Sequence, residues 1–532
     1  MIRTSMVAAL LAGSALIYSA PALAAQEQPA AQDVAAEPDA SDATADAAIA
    51  AAAPVDEAQA KIELLQAQVE ALQEALEGVK AAMVKTAPSW KGAPLFEDKG
   101  EGWSFKPRGR IQYDAGYVSN PDDNLITRNL GFNTRARRIR LGVEGTIPGD
   151  FAYKFEADFA NSTVGFGDVI LTYAPKEKPY SFTVGNHETM NGFEQITSSR
   201  FITFLERGAF NDAFGNTRRI GVSMGLVNKA NTLRFNAGLF AAHSIDSSFD
   251  NEGYIAAARG VYAPLMGANQ LHFGANFQHR EFQSNNNATP STSIGAPSSN
   301  QIARYRARPF TQTTDVRFVD TGNFAADSDN IIGLEFGGIF KSLHVSAEGQ
   351  YTKVNSDYNP GDITTGLDQF ALNSSGAPAY VVPTGNPSFW GGYAEVGYFL
   401  TGETRGYKNG TWDRTKVLKP FSKGGWGAFQ INGRVDYLDL STSKLKNALT
   451  NNFATGTTSL SGSRLGRGGT QLGLLAGLTW IPEDYMRVLL NYSHAEITGG
   501  PFAETAEPDS NKAVDKRKYG VDVLTTRFQI DF

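Results

Sequence analysis

The feature that most constrains this 532-residue chain is a two-residue period of apolar side chains, which recurs in segments of about ten residues from position 104 to the end. In segment 151–159 the residues Phe, Tyr, Phe, Ala and Phe alternate with Ala, Lys, Glu and Asp. Segment 524–532 alternates in the same way and ends at Phe532. Successive side chains of a β-strand point to opposite faces, so this period predicts strands with one apolar and one polar face.

Alternation alone also fits a soluble sandwich or propeller. Three features favour a membrane barrel: Tyr and Phe gather near the segment ends, short turns such as 148–150 and 482–484 alternate with long polar loops, and the sequence closes on an apolar segment. Within hydrocarbon every backbone group must be paired, so the strands have to close on themselves. We predict an all-β fold, a 16-stranded antiparallel transmembrane β-barrel preceded by a short N-terminal coiled-coil helix. The strands are predicted to begin near residues 104, 135, 151, 168, 180, 218, 231, 254, 270, 331, 343, 392, 428, 470, 485 and 521.

The N-terminal part of the chain differs in composition from the rest. Residues 1–25 have the basic start, apolar run and Ala-rich cleavage site of a signal peptide, and the apolar run is short for a membrane anchor. Residues 26–55 contain no Lys or Arg and are predicted to be a disordered acidic Ala/Pro-rich spacer. Residues 56–85 carry apolar residues at alternating spacings of three and four, which predicts a periplasmic coiled coil, or else one amphipathic helix lying on its own domain. Residues 90–532 form the predicted outer-membrane barrel.

Composition argues against several other classes of protein. The chain has no cysteine, which excludes a disulfide scaffold and a thiolate metal site. The six histidines lack metal-ligand spacing, and no Gly-x-Ser-x-Gly elbow is present, so we predict no enzyme, no metal and no cofactor. An outer-membrane lipase is the enzyme alternative. The net charge of −7 belongs to the N-terminal part, because the last 430 residues hold 42 basic and 40 acidic residues.

Several motifs in residues 90–532 resemble the phosphate-selective porin O and P family of Gram-negative outer membranes. They are Ala136-Arg137-Arg138-Ile139-Arg140-Leu141-Gly142, Asn191-Gly192-Phe193-Glu194-Gln195, Phe204-Leu205-Glu206-Arg207, Gly397-Tyr398-Phe399-Leu400-Thr401-Gly402-Glu403, Gly433-Arg434-Val435-Asp436-Tyr437, Gly477-Leu478-Thr479-Trp480-Ile481-Pro482 and Arg527-Phe528-Gln529-Ile530-Asp531-Phe532. The resemblance implies a homotrimer of barrels, loops that fold inward, and a ladder of lumenal arginines that attracts anions.

Strand parity indicates which arginines face the lumen if the apolar face meets lipid. The predicted anion pathway is Arg108, Arg110, Arg138, Arg140, Arg219, Arg234, Arg259, Arg280, Arg434, Arg487 and Arg527. Arg219, Arg234, Arg259 and Arg280 are predicted to form a cationic wall apart from an acidic wall of Glu335, Glu348 and Glu395. The alternative is that inward Arg and Glu residues pair and brace the barrel wall.

Two connections are predicted to shape the pore. Residues 187–217 should form the third external loop, which bends inward in the family and here carries Arg200, Arg207, Glu194 and Glu206 but no Lys. This lack of lysine departs from the constriction expected of a dedicated phosphate trap. Residues 402–426 should form a long periplasmic connection, read as a basic exit lining or as a solvated turn. Its basic residues are Arg405, Lys408, Arg414, Lys416, Lys419 and Lys423. Arg304, Arg306 and Arg308 in the fifth loop could recruit anions at the mouth.

The sequence therefore predicts an outer-membrane porin of a Gram-negative bacterium, a passive water-filled channel that prefers anions such as phosphate. Its predicted partners are small anionic solutes, outer-membrane lipid and further copies of itself, and no nucleic acid. Two alternatives stay open: a general diffusion porin without useful anion selectivity, and an envelope tether with a secondary pore.

Overall fold

The structure is a computed structural model. It describes residues 55–532 except positions 87, 91, 99, 122–124, 127, 161–163, 216, 243–244, 246–252, 283–301, 323, 357–381, 384, 447–448, 453–456, 461–467, 504 and 508–509. The predicted signal peptide and most of the predicted acidic spacer lie outside the described residues.

Sixteen antiparallel strands form one closed sheet in chain order. The last strand pairs with the first, with Thr526 opposite Ala115 and Ile530 opposite Ile111, so the barrel is complete. The predicted fold class and strand count are confirmed, and the predicted starts lie within four residues of the observed ones. The strands are β1 Trp103–Val118, β2 Gly131–Ile147, β3 Phe151–Asp158, β4 Gly165–Tyr173, β5 Tyr180–Glu188, β6 Arg218–Val227, β7 Leu233–Ala241, β8 Tyr254–Tyr262, β9 Asn269–Glu281, β10 Ser328–Phe340, β11 Leu343–Asn355, β12 Ser388–Phe399, β13 Ala428–Asp439, β14 Thr470–Glu483, β15 Met486–Thr498 and β16 Lys518–Asp531.

The two faces of the barrel have opposite chemistry. Outward positions are apolar and exposed, as at Leu334, Leu474 and Phe528, whereas the alternating inward positions are polar and buried, as at Gln350, Gln471 and Gln529. An apolar exterior with a polar interior is the inverse of a soluble barrel and fits a lipid-facing wall. Most of the buried apolar residues in the described part of the chain form one cluster where loops enter the barrel, around Phe210, Phe318 and Phe389.

The two rims of the barrel differ in the length of their connections. One rim carries short turns such as 341–342 and 484–485 together with a single long one at 400–427, which we call the long turn. The opposite rim carries the longer loops, including residues 189–217, which we call the inward loop. In barrels of this kind the short turns face the periplasm.

Shorter elements complete the chain. The inward loop contains helices α2 Phe193–Ile196 and α3 Ala209–Phe214. Small strand pairs lie outside the barrel sheet proper or extend its edge, and two 3-10 turns cover Phe421–Lys423 and Val514–Lys516. The short strands are Ser89–Trp90, Pro94–Asp98, Leu265–Met266, Ile302–Ala303, Arg306–Ala307, Val319–Asp320, Phe324–Ala325, Val382–Pro383, Gly406–Lys408, Thr411–Asp413, Leu445–Lys446, Leu449–Asn452 and Thr457–Leu460.

The N-terminal helix α1 spans Val55–Thr86. Ile62, Leu65, Val69 and Leu72, which belong to the predicted seam, are each more than half exposed. The helix is therefore present where the periodicity predicts it, and these four seam residues are exposed in the part of the chain that the structure describes. Self-association stays a prediction. Among the described helices, none is both long and apolar enough to cross a membrane.

Candidate functional site

The inward loop lies inside the barrel and is fixed to one wall by carboxylates. On β11, the Glu348 carboxylate accepts hydrogen bonds from the backbone N–H groups of Phe193 and Glu194, at 2.9 and 3.0 Å. On β13, Asp436 accepts from the N–H of Ala209 at 3.2 Å. Since these carboxylates bind the loop backbone, the loop covers the side of the barrel formed by β11 and β13.

A buried arginine connects the same loop to the same wall. Arg434 on β13 is fully buried and forms ion pairs with Glu194 of the loop and with Glu395 of β12. The hydroxyl of Thr203 also donates to Glu395, at 2.8 Å. The Arg434 guanidinium thus lies between two carboxylates, and these ion pairs both compensate its charge and fix the loop to the wall.

The other side of the loop is held by arginines of the closing strands. Arg527 on β16 pairs with Asp114 of β1 at 2.6 Å and with Glu206 of the loop at 2.8 Å. Arg487 on β15 donates to the carbonyls of Arg200 and Ile202, at 2.6 and 3.2 Å. These side chains lie inward as parity predicts, but they are bound to the loop.

The long turn reaches up into the barrel from the opposite rim. Its hairpin, formed by Gly406–Lys408 and Thr411–Asp413, places the buried ring of Trp412 against Phe193 of the inward loop, with ring centroids 4.9 Å apart. Arg405 donates to the carbonyl of Phe201. The inward loop and the long turn therefore meet and together narrow the lumen.

The six basic residues predicted to line an exit fall into two groups. Arg405 is buried, and the half-buried Arg414 lies with its guanidinium carbon 4.2 Å from the ring centroid of Tyr485. These two cations are therefore engaged in packing contacts. The role of the six residues as an exit lining stays a prediction. The remaining four are exposed: Lys408, Lys416, Lys419 and Lys423.

A cavity of about 670 Å³ remains between the two inserted segments and the first eight strands. Its cationic lining consists of Arg108, Arg110, Arg138, Arg140, Lys154, Arg200, Arg207, Arg218, Arg219 and Arg259, whereas its acidic lining consists of Glu156, Asp168 and Glu188. Amide and hydroxyl groups complete it, among them Asn186, Ser199 and Asn236. The cavity wall is therefore strongly cationic.

Most of these cations also have a carboxylate neighbour. Arg140 pairs with Glu156 and Asp158, both at 2.7 Å, and Arg218 pairs with Asp168 at 2.6 Å. Arg138 and Arg207 differ, since among the described residues neither has a carboxylate within the 4.0 Å that defines an ion pair. Arg138 donates to the side-chain oxygen of Gln112, and Arg207 donates to the carbonyls of Glu194 and Thr197.

Two of the four arginines in the predicted cationic wall are paired with acids, while Arg219 and Arg259 line the cavity. Arg259 pairs with Glu335 at 2.6 Å, and Arg280 donates to Asp329 at 2.8 Å, so two members of the predicted wall are neutralised by β10. Because only β9 separates β8 from β10, long side chains on these strands reach one another. Arg234 donates to the side-chain oxygen of Asn409 at 2.8 Å, and Arg219 donates to the carbonyl of Ala242 at 2.9 Å. Most of the cations that line the cavity lie on β1–β6 and on the inward loop.

Two arginines face the lumen although strand parity places them on the outward face. The pairing of β1 with β2 shifts between Gln112 and Tyr113, so Arg137 occupies a bulge and also turns inward, where it pairs with Glu206 at 2.8 Å. A bulge adds one residue to a strand and breaks the two-residue period. Arg218, at the very start of β6, turns inward to Asp168 and Glu188. The Arg137-Arg138 pair beside Arg140 is the sequence signal for the first; the second has none.

The four residues predicted for the constriction are half-buried or buried inside the barrel. Burial lowers the pKa of Arg200 to about 10, so its guanidinium stays charged at neutral pH. Although burial opposes ionisation, Arg137 and Arg527 hold the pKa of Glu206 well below its usual range. Arg200 and Arg207 line the cavity, whereas Glu194 and Glu206 are not part of its lining and pair with Arg434 and Arg527. Their role in a constriction stays a prediction.

The fifth loop places its arginines among acids at the mouth. Arg304 pairs with Asp320 at 2.5 Å, and Arg308 pairs with Asp212 at 3.3 Å. Arg306 is exposed and lines a separate cavity of about 520 Å³. Among the residues that the structure describes, no group of three or more His, Asp or Glu side chains is arranged to hold a metal ion.

One protein family and two individual proteins match this chain. The family model described as phosphate-selective porin O and P matches residues 105–532. An uncharacterised protein of Caulobacter vibrioides is 33% identical over 462 residues, which cover 85% of this chain and 78% of that protein. Porin O of Pseudomonas aeruginosa is 27% identical over 353 residues, which cover 62% of this chain and 71% of that protein.

Two solved structures also match most of this chain. The outer-membrane channel DcaP of Acinetobacter baumannii has a TM-score of 0.44 and 13% identity, with coverage of 82% of this chain and 99% of that one. The anion-selective porin of Comamonas acidovorans has a TM-score of 0.40 and 11% identity, with coverage of 81% of this chain and 100% of that one.

Proposed function

The chain belongs to the phosphate-selective porin O and P family and is therefore an outer-membrane porin, not an enzyme; we propose that its channel passes small anions, phosphate among them, in preference to cations. The observation that carries this proposal is the division of the lumen. The inward loop covers Glu348 and Glu395 of the predicted acidic wall, together with Asp436. The open cavity beside it presents ten cationic and three acidic side chains.

The passage of an anion follows from the chemistry of that lining. Guanidinium groups remain charged at any working pH and offer paired donors that match the oxygens of phosphate or carboxylate. A cationic wall between low-dielectric surfaces raises the local concentration of anions. Several neighbouring arginines compete for the same ion, so that each binds it weakly enough to release it, and transport is diffusion down a gradient.

Arg138 and Arg207 are the cations best placed to act on the solute itself. Arginines such as Arg140 and Arg218 share their charge with carboxylates at 2.6–2.7 Å. By contrast, Arg138 and Arg207 line the cavity and donate to neutral oxygens in the described part of the chain. Because a neutral acceptor does not compensate the charge of the guanidinium group, that charge remains available to attract a passing anion.

We further propose a homotrimer whose N-terminal coils associate on the periplasmic side, within the predicted domain boundaries of 26–55 for the spacer, 56–85 for the coil and 90–532 for the barrel. The exposed seam of α1 supports association, because Ile62, Leu65 and Leu72 need a partner helix to be buried. The predicted signal peptide, residues 1–25, accounts for export.

Single-channel conductance with chloride, titrated with phosphate, tests the preference for phosphate. If phosphate binds in the cationic cavity, the chloride current falls and saturates as phosphate rises. A chloride current that declines only in proportion to the replaced chloride would contradict a phosphate site. Phosphate titration of the Arg138→Gln variant then localises the effect, since the proposal expects weaker block.

A further inference from the structure

The outer half of the long turn, residues 418–427, lies on the outside of the barrel rim; we call it the rim segment. Its Phe421 ring meets the ring of Trp480 at 5.5 Å in an edge-on arrangement. Trp480 belongs to the outward face of β14, together with the exposed Leu474 and Leu478. The indole N–H of Trp480 donates to the carbonyl of Trp426 at 2.8 Å. The rim segment therefore continues the lipid-facing surface.

The rim segment has a defined shape. Val417, just before it, is buried in a small apolar cluster with Phe399, Ala428 and Ile481. The N–H of Gly427 donates to the carbonyl of Lys419 at 2.9 Å, which closes the segment into a compact turn. Gly427 has a φ of 78°, a conformation that favours glycine. The side chains on its surface are thus presented by ordered backbone.

Those side chains are unusually apolar for a turn. Trp426 is 75% exposed, Leu418 60% and Phe421 46%. They lie at the ends of β12, β13 and β14 on the short-turn rim, the level at which Trp residues anchor barrels at the membrane interface. An amphipathic indole with one polar edge fits headgroup depth better than bulk water.

The same surface carries free cations. Lys416, Lys419 and Lys423 are exposed, and none has a carboxylate within ion-pair distance among the described residues. The neighbouring carboxylates accept hydrogen bonds from backbone N–H groups. Glu483 accepts from the N–H of Ser422 at 2.5 Å, and Asp484 accepts from the N–H of Val417 at 2.8 Å. The buried Glu403 accepts from the N–H of Leu418 at 3.2 Å. The ammonium groups are therefore left to bind external anions.

We propose that the rim segment is a membrane-interface foot that binds anionic phospholipid headgroups of the periplasmic leaflet. Leu418, Phe421 and Trp426 insert at the boundary between headgroups and acyl chains, while Lys419 and Lys423 contact lipid phosphates. The occupant is lipid because the apolar side chains continue the lipid-facing wall through Trp480 and the cations flank them, an arrangement that suits an anionic membrane surface.

The first test measures lipid retention. The full chain, purified in detergent, is titrated with phosphatidylglycerol, and the bound lipid is counted by native mass spectrometry. The Lys419→Gln/Lys423→Gln variant should bind phosphatidylglycerol about 25-fold more weakly, since each lysine near an anionic surface contributes about 1 kcal/mol, or about fivefold. Titration with phosphatidylcholine should show no such difference.

The matched control removes two lysines from a short turn on the same rim. Lys176 and Lys178 are exposed in turn 174–179, which contains no aromatic residue. The Lys176→Gln/Lys178→Gln variant should retain phosphatidylglycerol like the wild type. An equal loss in both variants would overturn the proposal, because it would show a general effect of net charge. A loss of anion selectivity in the Lys419→Gln/Lys423→Gln variant with unchanged lipid binding would also overturn it, in favour of an exit lining.

A second test locates the segment directly. The chain has no cysteine, so a Trp426→Cys variant can carry one environment-sensitive fluorophore, with Ser443→Cys in an external loop as the solvent control. In vesicles containing phosphatidylglycerol, the label at 426 should emit to the blue and be quenched by brominated lipid. A label that emits as in water would contradict the proposal. A label that is buried but unquenched would contradict it as well, because it would indicate a protein contact.

Discussion

Substitution of Arg138 by Gln should lower the preference of the channel for anions. Arg138 lines the cavity and donates to Gln112, and among the described residues it has no carboxylate partner, so the change removes a charge without stranding a buried acid. A sphere of the cavity volume, 670 Å³, has a radius of about 5.4 Å, which places a central ion about 6 Å from the wall. At that distance one charge is worth about 0.7 kcal/mol in water, reduced to about 0.4 kcal/mol by 0.1 M salt.

The loss acts on both ions, because an anion loses attraction and a cation loses repulsion. The ratio of chloride to potassium permeability should therefore fall about three- to tenfold in Arg138→Gln. The assay is the reversal potential in planar bilayers under a KCl gradient, with heat-modifiable gel mobility to show that the barrel has folded. Arg138→Lys keeps the charge and should keep the ratio. The reasoning fails if Arg138→Gln matches the wild type within twofold, or if Arg138→Lys loses as much as Arg138→Gln.

Three further outcomes are expected. Arg434→Met leaves Glu194 and Glu395 buried without their cation, so urea titration of the folded barrel should show a loss of about 3–5 kcal/mol, and adding Glu194→Gln and Glu395→Gln should restore most of it. Glu206 has a lowered pKa in the folded protein, so its ion pairs contribute stability above about pH 4.3 that is lost only as the pH falls through the lowered value. Hydrogen exchange of the inward loop should therefore stay slow from pH 7 to about pH 4 in the wild type, and Glu206→Gln should exchange faster at pH 7. Deletion of residues 26–88 should leave single-channel conductance unchanged, whereas a changed conductance would place the coil in the permeation path.

The barrel could be predicted from the sequence because the pattern that specifies each strand lies within a short segment of the chain. Alternation in segments such as 151–159 specifies both the strand and the face that meets lipid, and closure follows from the need to pair every backbone group. Inward orientation could be predicted for the same reason at regular positions such as Arg140 and Arg527. Alternation alone could not predict it at Arg137, where a bulge shifts the period.

The use of each inward charge could not be read from parity. Parity places Arg259 and Glu335 in the lumen, but whether they face a solute or each other depends on the separation of β8 and β10 around the barrel. The covering of Glu348 by the backbone of Phe193 depends on a loop that folds onto a wall 155 residues away. Contacts of this range have no signature in the spacing of residues, so the shape of the cavity emerges only from the folded chain.

The most direct measurement is the sign of the reversal potential of the wild-type channel in a planar bilayer under a KCl gradient. A cationic cavity beside a covered acidic wall predicts a potential that favours chloride, and the preference should weaken as salt screens the wall. A potential of zero, or one that favours potassium, would contradict an anion channel and leave a general diffusion pore.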